Sequence, residues 1–185
     1  MKRTLVNFVA FQVGWFACVT GAAGGFPWLG VLVVGLVIGL HLVLAARPGQ
    51  ELRLVLLAVV MGLVFDSLLV KSGWLQYAGG AAFAGMAPYW ILAMWALFAT
   101  TLNVSMGWLK NKPGLAVLMG AIFGPLSYLA GQRLGALEFI NFNSAILALI
   151  FIWALAMPLL MLAARRFDGI RKLQPRLPLQ GLSRS

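Results

Sequence analysis

Hydrophobic positions along this chain fall into six long runs separated by short polar or glycine-rich breaks. The runs cover Leu5–Ala23, Pro27–Ala46, Leu52–Val70, Ala87–Leu109, Gly114–Gln132 and Asn143–Ala164. Each is close to the roughly 20 apolar residues with which a helix crosses a bilayer. The breaks are Gly24-Gly25, Arg47–Glu51, Lys71–Met86, Lys110–Pro113 and Arg133–Phe142. This pattern predicts an all-α, polytopic membrane protein: a six-helix bundle forming one domain over residues 1–164, followed by a basic tail over 165–185.

Small residues recur within the runs at spacings of three and four, which line one face of a helix. Gly14, Cys18, Gly21 and Gly25 do so in the first run, Gly35 and Gly39 in the second. Ala93, Ala96, Thr100, Asn103 and Gly107 follow in the fourth, and Gly120, Gly124, Ser127 and Gly131 in the fifth. In a bilayer such stripes mark close helix contacts, because lipid supplies no hydrophobic drive between helices. The second and third runs also echo the fourth and fifth. Trp28 precedes His41 by the same interval as Trp90 precedes Asn103, and LAVVMGLVF at 57–65 resembles LAVLMGAIF at 115–123. Duplication would make this a parallel repeat about an axis along the membrane normal; the alternative is chance similarity of apolar sequence.

Composition agrees with the pattern. Of 185 residues, 62% are hydrophobic and 10% charged, against about 25% charged in a soluble domain. The net charge of +10 would suggest nucleic acid if it formed a basic groove, but it sits at the ends of the runs, so no nucleic-acid partner is expected. Its distribution instead orients the chain. With the N-terminus inside, twelve of the fourteen Lys and Arg residues are cytoplasmic, leaving Lys71 and Arg133 outside. That bias predicts cytoplasmic N- and C-termini in a bacterial inner membrane. Met1-Lys2-Arg3 before an apolar run resembles a signal peptide, but Asn7, Gln12 and Trp15 interrupt it, and an uncleaved first helix is expected.

The candidate chemistry is sparse. Asp66 stands roughly 21 Å along the third span, where a carboxylate is costly and marks a functional or structural site. Arg133 and Lys71 share its side of the membrane. His41, Asn103, Thr100 and Gln12 fall in the opposite half. The candidate ligand-binding residues are therefore Asp66 and Arg133 on the outer side and His41, Asn103, Thr100 and Gln12 on the inner. For Asp66 the alternative is a structural ion pair or a helix-capping carboxylate near the outer interface; for the inner group it is interhelical hydrogen bonding alone. One histidine, one cysteine (Cys18) and one buried carboxylate make no usual metal site. Asp66 and His41 lie too far apart in depth to share a proton. No catalytic residue, metal or cofactor is assigned, and a self-sufficient enzyme is not expected.

PYWILAMWALFATTLN (Pro88–Asn103), NFVAFQVGWFACVTGAA (7–23), Phe65–Ser67 and GPLSYLAGQRLGA (Gly124–Ala136) together resemble an uncharacterised bacterial inner-membrane family classed as a domain of unknown function. Its members commonly carry histidine after the asparagine of that motif, where this chain has Val104. Members are often encoded near cyclopropane-fatty-acid-synthase-like methyltransferases. The resemblance implies membrane lipids, and lipid-modifying enzymes, as partners. The expectation is a protein that binds lipid or a small amphipathic ligand and assists lipid modification, with homo-oligomerisation open. A small proton- or cation-coupled transporter using Asp66, and a structural membrane subunit, are the alternatives.

Overall fold

A computed structural model describes residues 2–170. The helices are α1 (Lys2–Ala23), α2 (Pro27–Val43), α3 (Pro48–Lys71), α4 (Tyr89–Leu102), α5 (Pro113–Arg133) and α6 (Phe142–Arg166). The basic tail predicted from Arg165 lies outside the described residues beyond Ile170. α2, α3 and α5 each open on proline at the first helical position, where the missing N–H costs nothing. α6 is capped by Asn141, whose side chain accepts from the Ser144 N–H at 3.1 Å.

Two short strands add to the helical pattern. α3 and α5 both end at a glycine with positive φ, Gly73 (68°) and Gly135 (81°). After each, the next N–H bonds back to the helix, Trp74 to Leu69 and Ala136 to Gly131, the Schellman arrangement that only glycine adopts without strain. The chain then enters β1 (Leu75–Tyr77) and β2 (Leu137–Phe139), which pair antiparallel with Leu75 opposite Phe139 and Tyr77 opposite Leu137. Both strands lie in stretches expected to be loops. Three residues of alternating pattern between glycines carry too little periodicity to be read as a strand.

α1, α3, α5 and α6 are long and apolar enough to cross a membrane; α2 and α4, with 17 and 14 residues, are shorter. The fourth run was expected to be helical to Leu109, but α4 stops at Leu102. Asn103 turns its side chain to partners on α3 and beyond α6, and the N–H groups of Val104 and Met106 both return to Thr101 O. The chain resumes as a 3₁₀ turn at Gly107–Leu109. Leu36, Val43 and Phe151 are more than 70% exposed, and so wide an apolar surface suits lipid rather than water.

α4 is the central element, packed against α1, α2 and α3 with Trp90, Trp95 and Leu97 buried. α5 and α6 form a separate hairpin, packed closely on each other and joined to the rest chiefly through α3 and the strand pair. Small residues set these contacts. A Cβ at Gly30 would overlap the Cys18 backbone, and one at Gly120 or Gly124 would enter Trp153. Gly35 and Gly39 have nothing within 4 Å, which corrects the contact predicted for them; α2 presents Gly30, Val34 and His41 inward instead. Accordingly Gly30→Ala should destabilise by about 1–3 kcal/mol through overpacking. Gly35→Ala and Gly39→Ala should be neutral or slightly stabilising, as thermal unfolding in detergent would show.

Candidate functional site

Asp66 is fully buried on α3 and is held by three neutral donors. The hydroxyls of Tyr77 (β1) and Tyr128 (α5) donate to Oδ1, the latter at 2.6 Å, and the Trp95 indole (α4) donates to Oδ2 at 2.6 Å. Four elements thus meet at one carboxylate. The strand pair brings Tyr77 there, and Gly62, one turn below Asp66, leaves the space that Trp95 fills. Burial, followed by the nearby Asp66 and Tyr128, pushes the Tyr77 phenol well above its ordinary value, so it remains a donor at neutral pH. Arg133 is not part of this cluster: it stands exposed at the end of α5. Tyr128, five residues earlier, occupies the carboxylate instead.

At the other end of α3, about 22 Å from Asp66, a second cluster is built on Glu51. His41 Nε2 lies 2.8 Å from Glu51 Oε2, while Asn103 Nδ2 and the Gly169 N–H donate to Oε1 at 2.7 and 2.6 Å. Asn103 also donates to Phe167 O at 3.0 Å. The segment after α6 is held further by Arg47, whose N–H donates to Gly169 O and whose guanidinium donates to Asp168 O. Lys110 pairs with the Asp168 carboxylate at 2.8 Å. These bonds tie α2, α3, α4 and the residues after α6 into one end-plate.

His41 and Asn103 are therefore brought together, but through Glu51, which the sequence reading had left in a break. Thr100 is not at this cluster; its hydroxyl bonds back to Leu97 O at 2.7 Å and its carbonyl accepts from Asn7. Gln12 faces a different feature.

That feature is a half-open cavity of about 390 Å³ between α1, α4 and the α5–α6 hairpin. Phe11, Gln12 and Trp15 form one wall, Trp95, Phe98 and Trp153 the back, and Phe123, Leu126, Ser127 and Tyr128 the other side. Met94, Met106, Met119 and Met157 also line it, and no charged residue does. Trp95 and Trp153 stack at 4.8 Å and 10°. Phe123 and Leu126 are 56% and 50% exposed and form its rim. Phe123 is ten residues from either end of α5, or about 15 Å, so the mouth lies at the middle depth of the helix. Trp95 and Tyr128 belong both to this wall and to the Asp66 cluster.

Sequence reasoning had no access to the cavity, to Tyr77, Trp95, Tyr128 and Trp153, or to Glu51. For Glu51 a signal existed: Pro48 opens α3, which places the carboxylate in the first helical turn rather than in a loop.

Among the described residues, no group of three or more histidine, cysteine or acidic side chains could hold a metal ion. The sequence pattern of a family described as "Protein of unknown function (DUF2878)" matches residues 4–159. No curated protein and no solved structure matches the chain.

Proposed function

The chain belongs to this family of unknown function, as the resemblance in its sequence implied, and from that premise we propose that it is a membrane-embedded binding protein for a neutral, lipid-soluble ligand. The cavity is the observation that carries the reading. Its volume falls at the lower end of the range of roughly 300–1,000 Å³ that small-molecule sites occupy. Its walls are aromatic and methionine-rich, a surface that repacks around irregular apolar shapes. The rim residues are apolar and lie at mid-helix depth, so the cavity opens to acyl chains rather than to headgroups or water. A charged headgroup would meet no counter-charge in it, a costly burial. The ligand is an isoprenoid, a neutral lipid or a lipid chain entering sideways.

In this reading the helices cross the bacterial inner membrane six times with both termini cytoplasmic, the Glu51 end-plate lying on the cytoplasmic side among the positive charges. The Asp66 cluster serves the cavity by fixing Trp95 and Tyr128 as walls. Delivery of the ligand to a lipid-modifying enzyme is the role that the family resemblance adds to this reading.

Three of the seven tryptophans line the cavity, which provides the assay. In nanodiscs, 1-bromododecane should quench part of the tryptophan emission saturably. The double substitution Met94→Phe, Met119→Phe, which narrows the cavity, should weaken that quenching while leaving the melting temperature near wild type. Linear, non-saturable quenching equal in both proteins would rule the site out.

A further inference from the structure

Methionine is concentrated at the cavity. Four of the eight methionines in the chain, Met94, Met106, Met119 and Met157, belong to its lining. Met157 is 2% exposed and sealed into the core, whereas Met94, Met106 and Met119 are half-buried. They come from α4, from the turn after it and from α5, so three parts of the chain bring thioethers to one apolar space. A thioether packs like an aliphatic chain, but its sulfur is also oxidised to a sulfoxide. Leucine would line the cavity without that reactivity. The mouth opens to acyl chains rather than to water, so an oxidant that reaches these sulfurs must itself be lipid-soluble. Met61 on α3 and Met86 in the loop before α4 are also half-buried but lie outside the lining.

We propose that the cavity is a reaction site for lipid hydroperoxides: an unsaturated acyl or isoprenoid chain carrying an –OOH group enters it and transfers one oxygen to Met94, Met106 or Met119. This rests on the cavity being a ligand site and adds a substrate class and a chemistry. In the step, the sulfur lone pair attacks the terminal peroxide oxygen and the O–O bond breaks. The sulfur is oxidised by two electrons to the sulfoxide. The peroxide is reduced to the alcohol, whose leaving oxygen takes the hydroperoxide proton, and no further reactant is needed. Binding makes the encounter intramolecular, which raises its rate above that of a thioether meeting the same peroxide in the bilayer. Gln12, whose amide lines the same space, can donate a hydrogen bond to the leaving oxygen. Each sulfur reacts once, and its sulfoxide persists until a reductase restores the thioether.

The test exposes the whole chain in nanodiscs to methyl oleate hydroperoxide and maps sulfoxides by peptide mass spectrometry. Met94, Met106 and Met119 together should oxidise roughly tenfold faster than Met61, and excess 1-bromododecane should slow them to the Met61 rate. Aqueous hydrogen peroxide should reverse the order and take Met86 first. The lipid product should be the hydroxy ester, one per sulfoxide. The Met94→Leu, Met106→Leu, Met119→Leu protein, in which leucine replaces methionine at similar volume, should lose most of that product. Oxidation of the three no faster than Met61, with bromododecane quenching still saturable, would overturn the chemistry and leave the binding site. Uniform oxidation together with non-saturable quenching would overturn both. Ketone or epoxide in place of the alcohol would overturn the two-electron step.

Discussion

Replacing Asp66 by leucine is expected to cost about 3–6 kcal/mol of stability and to abolish ligand binding. The substitution leaves three buried donors facing an apolar side chain, at about 1–3 kcal/mol for each group left unsatisfied. The Tyr77 and Tyr128 hydroxyls can bond each other, which recovers part of the loss, but the Trp95 N–H has no alternative. The effect on binding follows from the same contacts, since Trp95 and Tyr128 are wall residues. Asp66→Asn should cost no more than about 2 kcal/mol, because the amide satisfies Trp95 with its oxygen and both tyrosines with its NH₂. Unfolding in mixed micelles checks the order. Equal losses in the two variants would mean that the hydrogen bonds are not what the carboxylate contributes.

Glu51→Ala should be the next most damaging change, at about 3 kcal/mol, and its signature should be local. Removing the carboxylate leaves buried groups without their partner, at about 1–3 kcal/mol for each, and the total stays near the low end because Asn103 keeps its bond to Phe167 O. The Gly169 N–H and His41 lose their partner altogether. Hydrogen exchange at residues 167–170 should therefore accelerate by two orders of magnitude or more, while the α5–α6 hairpin exchanges as in wild type. Glu51→Gln retains an oxygen for Asn103 and Gly169 and should restore most of the protection. Uniform acceleration along the whole chain would show a global defect instead of a released end-plate.

The two carboxylates also show what a sequence can and cannot reveal in such a protein. Asp66 was legible because a carboxylate interrupts an otherwise aliphatic run, and the start of α2 was legible at Pro27; Pro48 and Pro113 carry the same first-position signal but were left in the breaks before α3 and α5. Glu51 was hidden by the same hydropathy contrast: lying beside Arg47 and Gln50, it reads as part of a polar break although its side chain is buried. Tyr77, Trp95 and Tyr128 were hidden for the opposite reason. Aromatic residues in apolar runs look like lipid-facing or core surface, and nothing in their spacing says that three of them point at one carboxylate from different elements. The approach of Tyr77 depends on a three-residue strand pair, which has no periodicity to detect. His41 and Asn103 were read as a pair, and both contact Glu51, the residue that the reading lacked. The cavity is a property of how the α5–α6 hairpin stands off from α1, and such inter-element gaps have no local sequence signature.

Native mass spectrometry of the protein released from nanodiscs tests the central claim most directly, because it weighs whatever the cavity carries. The wild-type protein should retain a neutral, lipid-soluble molecule at close to one per chain, and the Met94→Phe, Met119→Phe protein should retain less of it. An empty wild-type chain, or the same phospholipids bound to both proteins, would contradict the account.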